Sequence, residues 1–256
     1  MEKILVCNGD SWTQGDNPAQ TPDWQAEKDL PWYDIPRNFG SHGLTSKRIL
    51  YKFYNSPVWP KVVGENLKLK TFNAGRLGDD NRGITLRTIA VLEDLKNPIY
   101  NLGTDKFLVV VGWSSMLRQS IFEFQEEKNK FLKSQRRPQQ FFREELPESS
   151  MWIDDFILNV YTLQSYLESI NANILFFNAF DTFDYKNSRY RDLIKKEYWF
   201  NNDPESAHFL ELLDKLFGVK ELYAETKYMT EGHPTDISHI TWAHYLTDYI
   251  KENGLN

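Results

Sequence analysis

Short apolar runs alternate along the chain with longer segments whose apolar residues recur at helical spacing. Four of these runs predict strands, and all but the second are predicted to be buried. One begins at Lys3 and turns at Gly9, and the others span 69–72, 106–113 and 172–180. The run at 106–113 has no polar alternation, which is typical of a strand buried on both faces of a parallel sheet.

Helical spacing of apolar residues predicts the elements between and after these strands. The predicted helices span 58–67, 84–95, 151–170 and 206–217, with a last helix that opens at 233–236 and runs to about 252. A short helix at 47–55 and a charged, largely helical segment at 116–147 are also predicted, whereas 218–230 is predicted to be irregular. Strands that alternate with helices indicate an α/β fold with a parallel sheet and helices on both faces.

The length of 256 residues fits one domain with inserted loops. We place these loops at about 16–46, 116–150 and 181–205. The first loop follows the turn after Gly9 directly, so we expect it to lie over or beside a functional site. Aromatic residues make up 15% of the chain, and we expect most of them in the core because aromatic side chains bury large areas.

Composition and charge narrow the classes of partner. The formal net charge of −6 argues against a general nucleic-acid binder. No apolar run approaches the 18 residues of a membrane span, and the first residues lack the pattern of a signal peptide, so we expect a cytoplasmic or virion-associated protein. The single cysteine, Cys7, is expected in the core, and no Cys/His cluster has the spacing of a zinc site.

Four polar segments stand at predicted strand ends or at the start of the last helix. They are Gly9–Ser11, Asn73–Gly78, Gly112–Ser115 and His233–His239. The strand ends of a parallel sheet converge on one edge, which would bring a serine and a histidine together. A serine hydroxyl becomes a nucleophile when a base takes its proton, and a carboxylate can orient that base. These segments therefore indicate acyl transfer.

The order and spacing of the segments resemble the SGNH/GDSL hydrolase family, in its bacterial or phage type. Gly9-Asp10-Ser11 matches its first block, and Gly78 matches the oxyanion glycine of its second block. His233, followed by Pro234, matches its catalytic histidine. The resemblance implies a three-layer flavodoxin-like sheet and ester hydrolysis by Ser11 with no metal or cofactor. It also implies an oxyanion held by the amides of Ser11 and Gly78.

The third block departs from the family pattern. The family usually has Gly-x-Asn, and the Asn side chain donates to the oxyanion. Here the block is Gly112-Trp113-Ser114, so Ser114, or Ser115 beside it, would have to donate from a shorter hydroxyl. Removing one such donor can cost about 100-fold or more in rate.

The sequence leaves two candidates for the acid that would orient the histidine. The family places an Asp three residues before the His, and that position is Thr230, with Glu231 one residue later. Asp236 precedes His239 by the usual spacing, but His239 falls inside the last helix. We therefore rank His233 before His239 as the base. Glu231 or Asp236 would be the acid, unless a water or a backbone carbonyl takes that place.

Several of these residues also have a structural interpretation. Asp236 could serve solely as the cap of the last helix. His239 and His244 could lie on the surface of that helix. His42 and His208 have no motif around them, and we interpret them as surface or loop residues.

Two functions follow from the sequence. The first is a serine esterase or acyl hydrolase of SGNH type, which would remove O-acyl groups from carbohydrate or a small molecule. The second is a catalytically weak or inactive module of the same fold that serves binding or structure, for example in a phage particle or a polysaccharide-handling assembly. Neither function involves nucleic acid or a membrane, and the oligomeric state is open.

Overall fold

The computed structural model describes residues 3–14, 57–76, 79–96, 106–115, 150–179, 182–186, 188–220, 226–230 and 232–256. The predicted helix at 47–55 lies outside these residues, as do the loop at 16–46 and nearly all of 116–150. What the sequence indicates for those segments stays a prediction.

A parallel sheet forms the centre of the fold. Its strands are β1 (Ile4–Gly9), β2 (Lys70–Asn73), β3 (Phe107–Trp113) and β4 (Asn173–Asn178). They pair in the order β2-β1-β3-β4, and every pair is parallel. This order is that of the first four strands of a flavodoxin-like sheet, which confirms the predicted α/β fold class.

Helices cover both faces of the sheet. They are α1 (Ser11–Gln14), α2 (Trp59–Leu67), α3 (Asn81–Lys96), α4 (Ser150–Ser169), α5 (His208–Phe217) and α6 (Asp236–Glu252). These bounds confirm the helices predicted from apolar spacing, although α3 begins three residues earlier than its first apolar residue. Among the described residues, no helix combines the length and apolarity that crossing a membrane requires.

The segment before the last helix differs from the prediction. Residues 229 and 230, predicted to be irregular, form β5 (Met229–Thr230), which pairs antiparallel with β6 (His233–Pro234). The last helix therefore begins at Asp236 and not at His233. The extended backbone of His233 is explained by the residue after it, because a proline disfavours helical geometry in the residue that precedes it.

Alternate residues of the central strands enter two separate cores. In β1, Ile4 and Val6 pack with α3 and α4, whereas Leu5 and Cys7 pack on the opposite face with α2, α5 and α6. β3 divides its side chains in the same way. Burial on both faces is what the continuous apolar runs predicted, and Cys7 lies in the core as expected.

The described residues of the predicted loop at 181–205 contribute buried side chains to the core. They contain three short 3-10 turns, and their buried side chains include Phe183, Tyr185, Ile194 and Trp199. Trp199 forms an isolated parallel bridge with Phe176 of β4 and meets its ring edge-on, with centroids 5.7 Å apart. The aromatic residues of this segment are therefore structural, as predicted for most rings of the chain.

β1 and β3 approach closely at a pair of glycines. Gly9 lies opposite Gly112 in the sheet register. A Cβ atom on Gly9 would lie 2.2 Å from Thr13 Oγ1 and 2.6 Å from the carbonyl oxygen of Gly112. A Cβ atom on Gly112 would lie 2.7 Å from the ring edge of Phe177. The end of β1 thus has no room for a side chain at Gly9.

We expect Gly9→Ala to lower the free energy of unfolding by about 1–3 kcal/mol, as overpacking does. Gly112→Ala is expected to cost less, because its nearest contacts are side-chain atoms, whereas a Cβ atom on Gly9 also meets a backbone oxygen. Urea unfolding of both variants measures the difference. A smaller loss for Gly9→Ala than for Gly112→Ala would contradict this account of the strand end.

Candidate active site

The first and third polar segments meet at the carboxyl ends of β1 and β3. The Ser114 hydroxyl donates to Oδ2 of Asp10 at 2.9 Å, and the backbone N–H of Trp12 donates to Oδ1 at 3.0 Å. Asp10 is 0% exposed and Ser114 is 1% exposed. A buried carboxylate requires such donors, because burying a charge without hydrogen bonds is costly. The Asp10–Ser114 hydrogen bond therefore joins the two strand ends.

Asn81, the first residue of α3, fixes the backbone of the third segment. Its Oδ1 accepts the N–H of Ser114 at 2.9 Å, and its Nδ2 donates to the carbonyls of Ser114 at 3.1 Å and Ser115 at 3.3 Å. The sequence motifs assign no role to Asn81. The available signal was an Asn at the start of a helix after a loop rich in Gly and Asp, which indicates side-chain bonding to backbone.

The second polar segment folds against the start of α1. Asn73 Nδ2 donates to the carbonyl of Thr13 at 2.9 Å, and Asn73 Oδ1 accepts the N–H of Gly75 at 2.9 Å. The N–H of Arg76 donates to the carbonyl of Gly9 at 3.0 Å. The end of β2 is thereby held beside the turn that follows β1, as the strand order requires.

One hydrogen bond links the start of α1 to the hairpin of β5 and β6. The indole Nε1 of Trp12 donates to the carbonyl of Gly232 at 2.9 Å, and both residues are buried. Gly232 lies in the turn between β5 and β6 with a φ of 77°, a conformation that favours glycine. Ser11 precedes Trp12 and His233 follows Gly232. The backbones of the predicted nucleophile and base are therefore each one residue from this bond.

Three parts of the predicted site lie outside the described residues. They are Gly78, Glu231 and the side chain of Ser11. The backbone of Ser11 opens α1 directly after the strand end. The roles assigned to Gly78 and Glu231 stay predictions.

The surroundings of His233 bear on its acid partner. The register of β5 and β6 places Thr230 opposite His233, so the position of the family's Asp is a ladder partner of the histidine. Asp236 is the first residue of α6, and its side chain is half-buried. The N-cap of this helix is Thr235, so the interpretation of Asp236 as the cap is wrong.

His239 lies on the inner side of α6. It is 1% exposed, its ring centroid is 6.0 Å from that of Phe209, and neither ring nitrogen has a hydrogen-bond partner within the described ranges. Burial, and then the charge of nearby His233, lower the pKa of His239 to about 3. The interpretation of His239 as a surface residue is wrong, because its side of α6 also carries the core residue Trp242.

His208 is the first residue of α5 and is also buried, so its interpretation as a surface or loop residue is wrong. Its Nδ1 accepts the N–H of Asn178 at 3.2 Å at the end of β4. Burial lowers the pKa of His208 to about 4, although the nearby Asp203 carboxylate acts in the opposite direction.

Carboxylates at the start of α3 are paired with other protein groups. Asp79 Oδ2 accepts from Nε of Arg87 at 3.1 Å and from Nη2 at 2.9 Å. Asp80 Oδ1 accepts the N–H of Gly83 at 2.6 Å. Burial raises the pKa of Asp79, which Arg87 partly opposes. Over the part of the chain that the structure describes, no group of three or more His, Cys, Asp or Glu side chains could hold a metal ion.

Comparisons with known proteins give low similarities. No protein-family model and no curated protein matches the sequence. One similar solved structure is the psychrotrophic esterase EstA from Pseudoalteromonas sp., inhibited by monoethylphosphonate, with 12% identity and a TM-score of 0.45 over 100% of each chain. Another is a protein of the G-D-S-L family from Desulfitobacterium hafniense DCB-2, described as lipolytic, with 14% identity and a TM-score of 0.41 over 97% of this chain and 99% of that chain.

The two buried histidines predict a loss of stability in mild acid. Both stay neutral in the folded protein, whereas the unfolded chain gains protons as the pH falls below about 6.5. We expect the free energy of unfolding to fall by about 1.4 kcal/mol per pH unit for each histidine between pH 6 and pH 5. Urea unfolding at several pH values measures this slope. His239→Leu should remove the contribution of His239 to this slope, which is about half of the total from the two histidines. An unchanged slope would contradict the lowered pKa of His239.

Proposed function

We propose that the chain is a serine ester hydrolase in which Ser11 is the nucleophile and His233 is the base. The observation that carries this proposal is the buried hydrogen bond from the Trp12 indole to the Gly232 carbonyl. It ties the residue after Ser11 to the residue before His233, which are 220 positions apart in the sequence. A nucleophile and its base must lie within hydrogen-bond reach, and this link supports such proximity.

In the proposed reaction, Ser11 Oγ attacks the ester carbonyl while His233 takes the hydroxyl proton. The amides of Ser11 and Gly78 stabilise the tetrahedral oxyanion. His233 then gives its proton to the leaving alcohol, and an acyl-enzyme remains. Water attacks this ester with His233 again as the base, which releases the acid and restores the serine. Glu231 or Asp236 would orient the imidazole.

His233 is better suited to this role than His239. A general base works best when its pKa lies near the working pH. The pKa of His239 is lowered to about 3, and its ring is enclosed by core aromatic residues. His233 is half-buried, at the end of the hairpin that contacts α1.

The proposed substrates are short acyl esters, with O-acyl groups on carbohydrate as the preferred class. The support is compositional, because the predicted loop at 16–46 is rich in polar residues and contains Trp24, Trp32 and Tyr33. Aromatic rings in a loop beside an ester site would suit a sugar. The acidic net charge of −6 disfavours a nucleic-acid partner.

One observation favours the second candidate, a binding or structural module. The residue at the place of the family's oxyanion Asn is Ser114, and its hydroxyl is bonded to Asp10. A site that lacks this donor would be slower by about 100-fold or more if nothing replaces it. Such a chain could retain its fold and bind an ester without turning it over.

Ser11→Ala is expected to lower kcat on short acyl esters and acetylated sugars by at least about 1000-fold, because the nucleophile is lost. The same variant should lose labelling by a fluorophosphonate probe. The kcat of His233→Ala should fall similarly. His244→Ala, on the exposed side of α6, is the matched control and should retain the kcat of wild type. Equal hydrolysis by wild type and Ser11→Ala would refute the proposal.

Trp12→Phe tests the bond between α1 and the hairpin. The ring can still pack against Phe209, but the donor to the Gly232 carbonyl is lost. We expect kcat to fall about 10-fold, which corresponds to about one hydrogen bond of positioning energy. Trp59→Phe is the control, because the buried Nε1 of Trp59 has no partner within the described residues. Equal changes in kcat for the two variants would contradict a positioning role for this bond.

A further inference from the structure

We infer that Ser114 is a positioning residue that holds the Asp10 carboxylate, and through it the turn that carries Ser11, instead of donating to the oxyanion. This inference rests on the proposed function. It differs from the expectation that Ser114 takes over the role of the family's Asn.

The hydroxyl of Ser114 has a single hydrogen to donate. In the structure that hydrogen goes to Oδ2 of Asp10 at 2.9 Å, and both side chains are fully or almost fully buried. Donation to a substrate oxyanion would require Ser114 to rotate away from Asp10. That rotation would remove a donor from a buried carboxylate, which is unfavourable because a buried charge needs its hydrogen bonds. The hydroxyl therefore stays on Asp10.

The backbone of Ser114 is fixed as firmly as its side chain. Asn81 accepts its N–H and donates to its carbonyl, so one carboxamide holds the peptide groups on both sides of the residue. A third contact joins Asn81 to the carbonyl of Ser115. These bonds hold Ser114 in the position from which it reaches Asp10.

The effect reaches Ser11 through the backbone. The other carboxylate oxygen of Asp10, Oδ1, accepts the N–H of Trp12, so the Asp10 side chain bridges the backbone on the two sides of Ser11. Hydrogen bonds that share a buried charged group are strong and restrict motion. Ser114 and Asp10 thus act as one unit that orients Ser11. Removing either side chain should disturb that orientation in the same way.

A double-mutant cycle of Ser114→Ala and Asp10→Ala on a short acyl ester tests this unit. We expect Ser114→Ala to lower kcat about 10-fold with KM changed less than about twofold, because the loss concerns alignment in the transition state. In the Asp10→Ala background, adding Ser114→Ala should change kcat by less than about twofold. An independent oxyanion donor would instead give a further loss of about 100-fold in that background.

Two further variants separate positioning from general destabilisation. Ser114→Thr retains the hydroxyl and should restore kcat to within about threefold of wild type. Ser188→Ala removes another buried serine that donates to a carboxylate, Oδ1 of Asp154 at 2.5 Å, and should leave kcat unchanged while it lowers the melting temperature. If Ser114→Ala does not fold, Ser114→Cys takes its place in the cycle.

The outcomes distinguish the inference from the proposed function. If wild type hydrolyses esters but the two losses multiply, or if Ser114→Ala matches wild type, Ser114 is not a positioning residue and the hydrolase proposal stands. A loss in Ser114→Thr as large as that in Ser114→Ala would also overturn the inference. If wild type neither hydrolyses esters nor reacts with a fluorophosphonate, both proposals fail.

Discussion

The close approach of β1 and β3 at Gly9 and Gly112 is the constraint on which the candidate site depends. With no side chain on Gly9, Thr13 packs directly over the strand end, and α1 follows the strand without a longer connection. Asp10 and Ser114, the residues that directly follow β1 and β3, then lie within hydrogen-bond reach of each other. A larger residue at Gly9 would meet a backbone oxygen, which can move only if the sheet itself moves.

The burial of the Asp10 carboxylate is a direct consequence of this close approach. Asp10 has no exposed surface, so its charge must be balanced by donors from the protein. Two of them come from different strand ends, the N–H of Trp12 and the hydroxyl of Ser114. Asn81, at the start of α3, holds the backbone of the second donor, Ser114. Polar networks that are well satisfied rigidify their surroundings, and here the surroundings include the backbone of Ser11.

Aromatic packing brings the hairpin with His233 to the same edge. Trp12 meets Phe209 edge-on with centroids 5.2 Å apart, and Phe209 stacks on Trp242 at 5.1 Å. These rings connect α1, α5 and α6 beneath the sheet's end, and such pairs contribute about 0.5–1.5 kcal/mol each beyond the area they bury. The indole N–H of Trp12 remains available for the Gly232 carbonyl, so one side chain both packs in the core and positions the hairpin.

The sequence predicts the four strands of the parallel sheet, most helix bounds, the burial of the sheet on both faces and the place of Ser11 at the end of β1. Those features depend on local periodicity, which a single sequence contains. It did not predict the burial of His208 and His239, the strand at His233, or the role of Asn81. It also missed the bonds of Ser114 to Asp10 and of Trp12 to Gly232, which join residues 104 and 220 positions apart. These features depend on tertiary packing, because the arrangement of distant elements decides which side of a helix faces the core and which partner a buried polar group bonds.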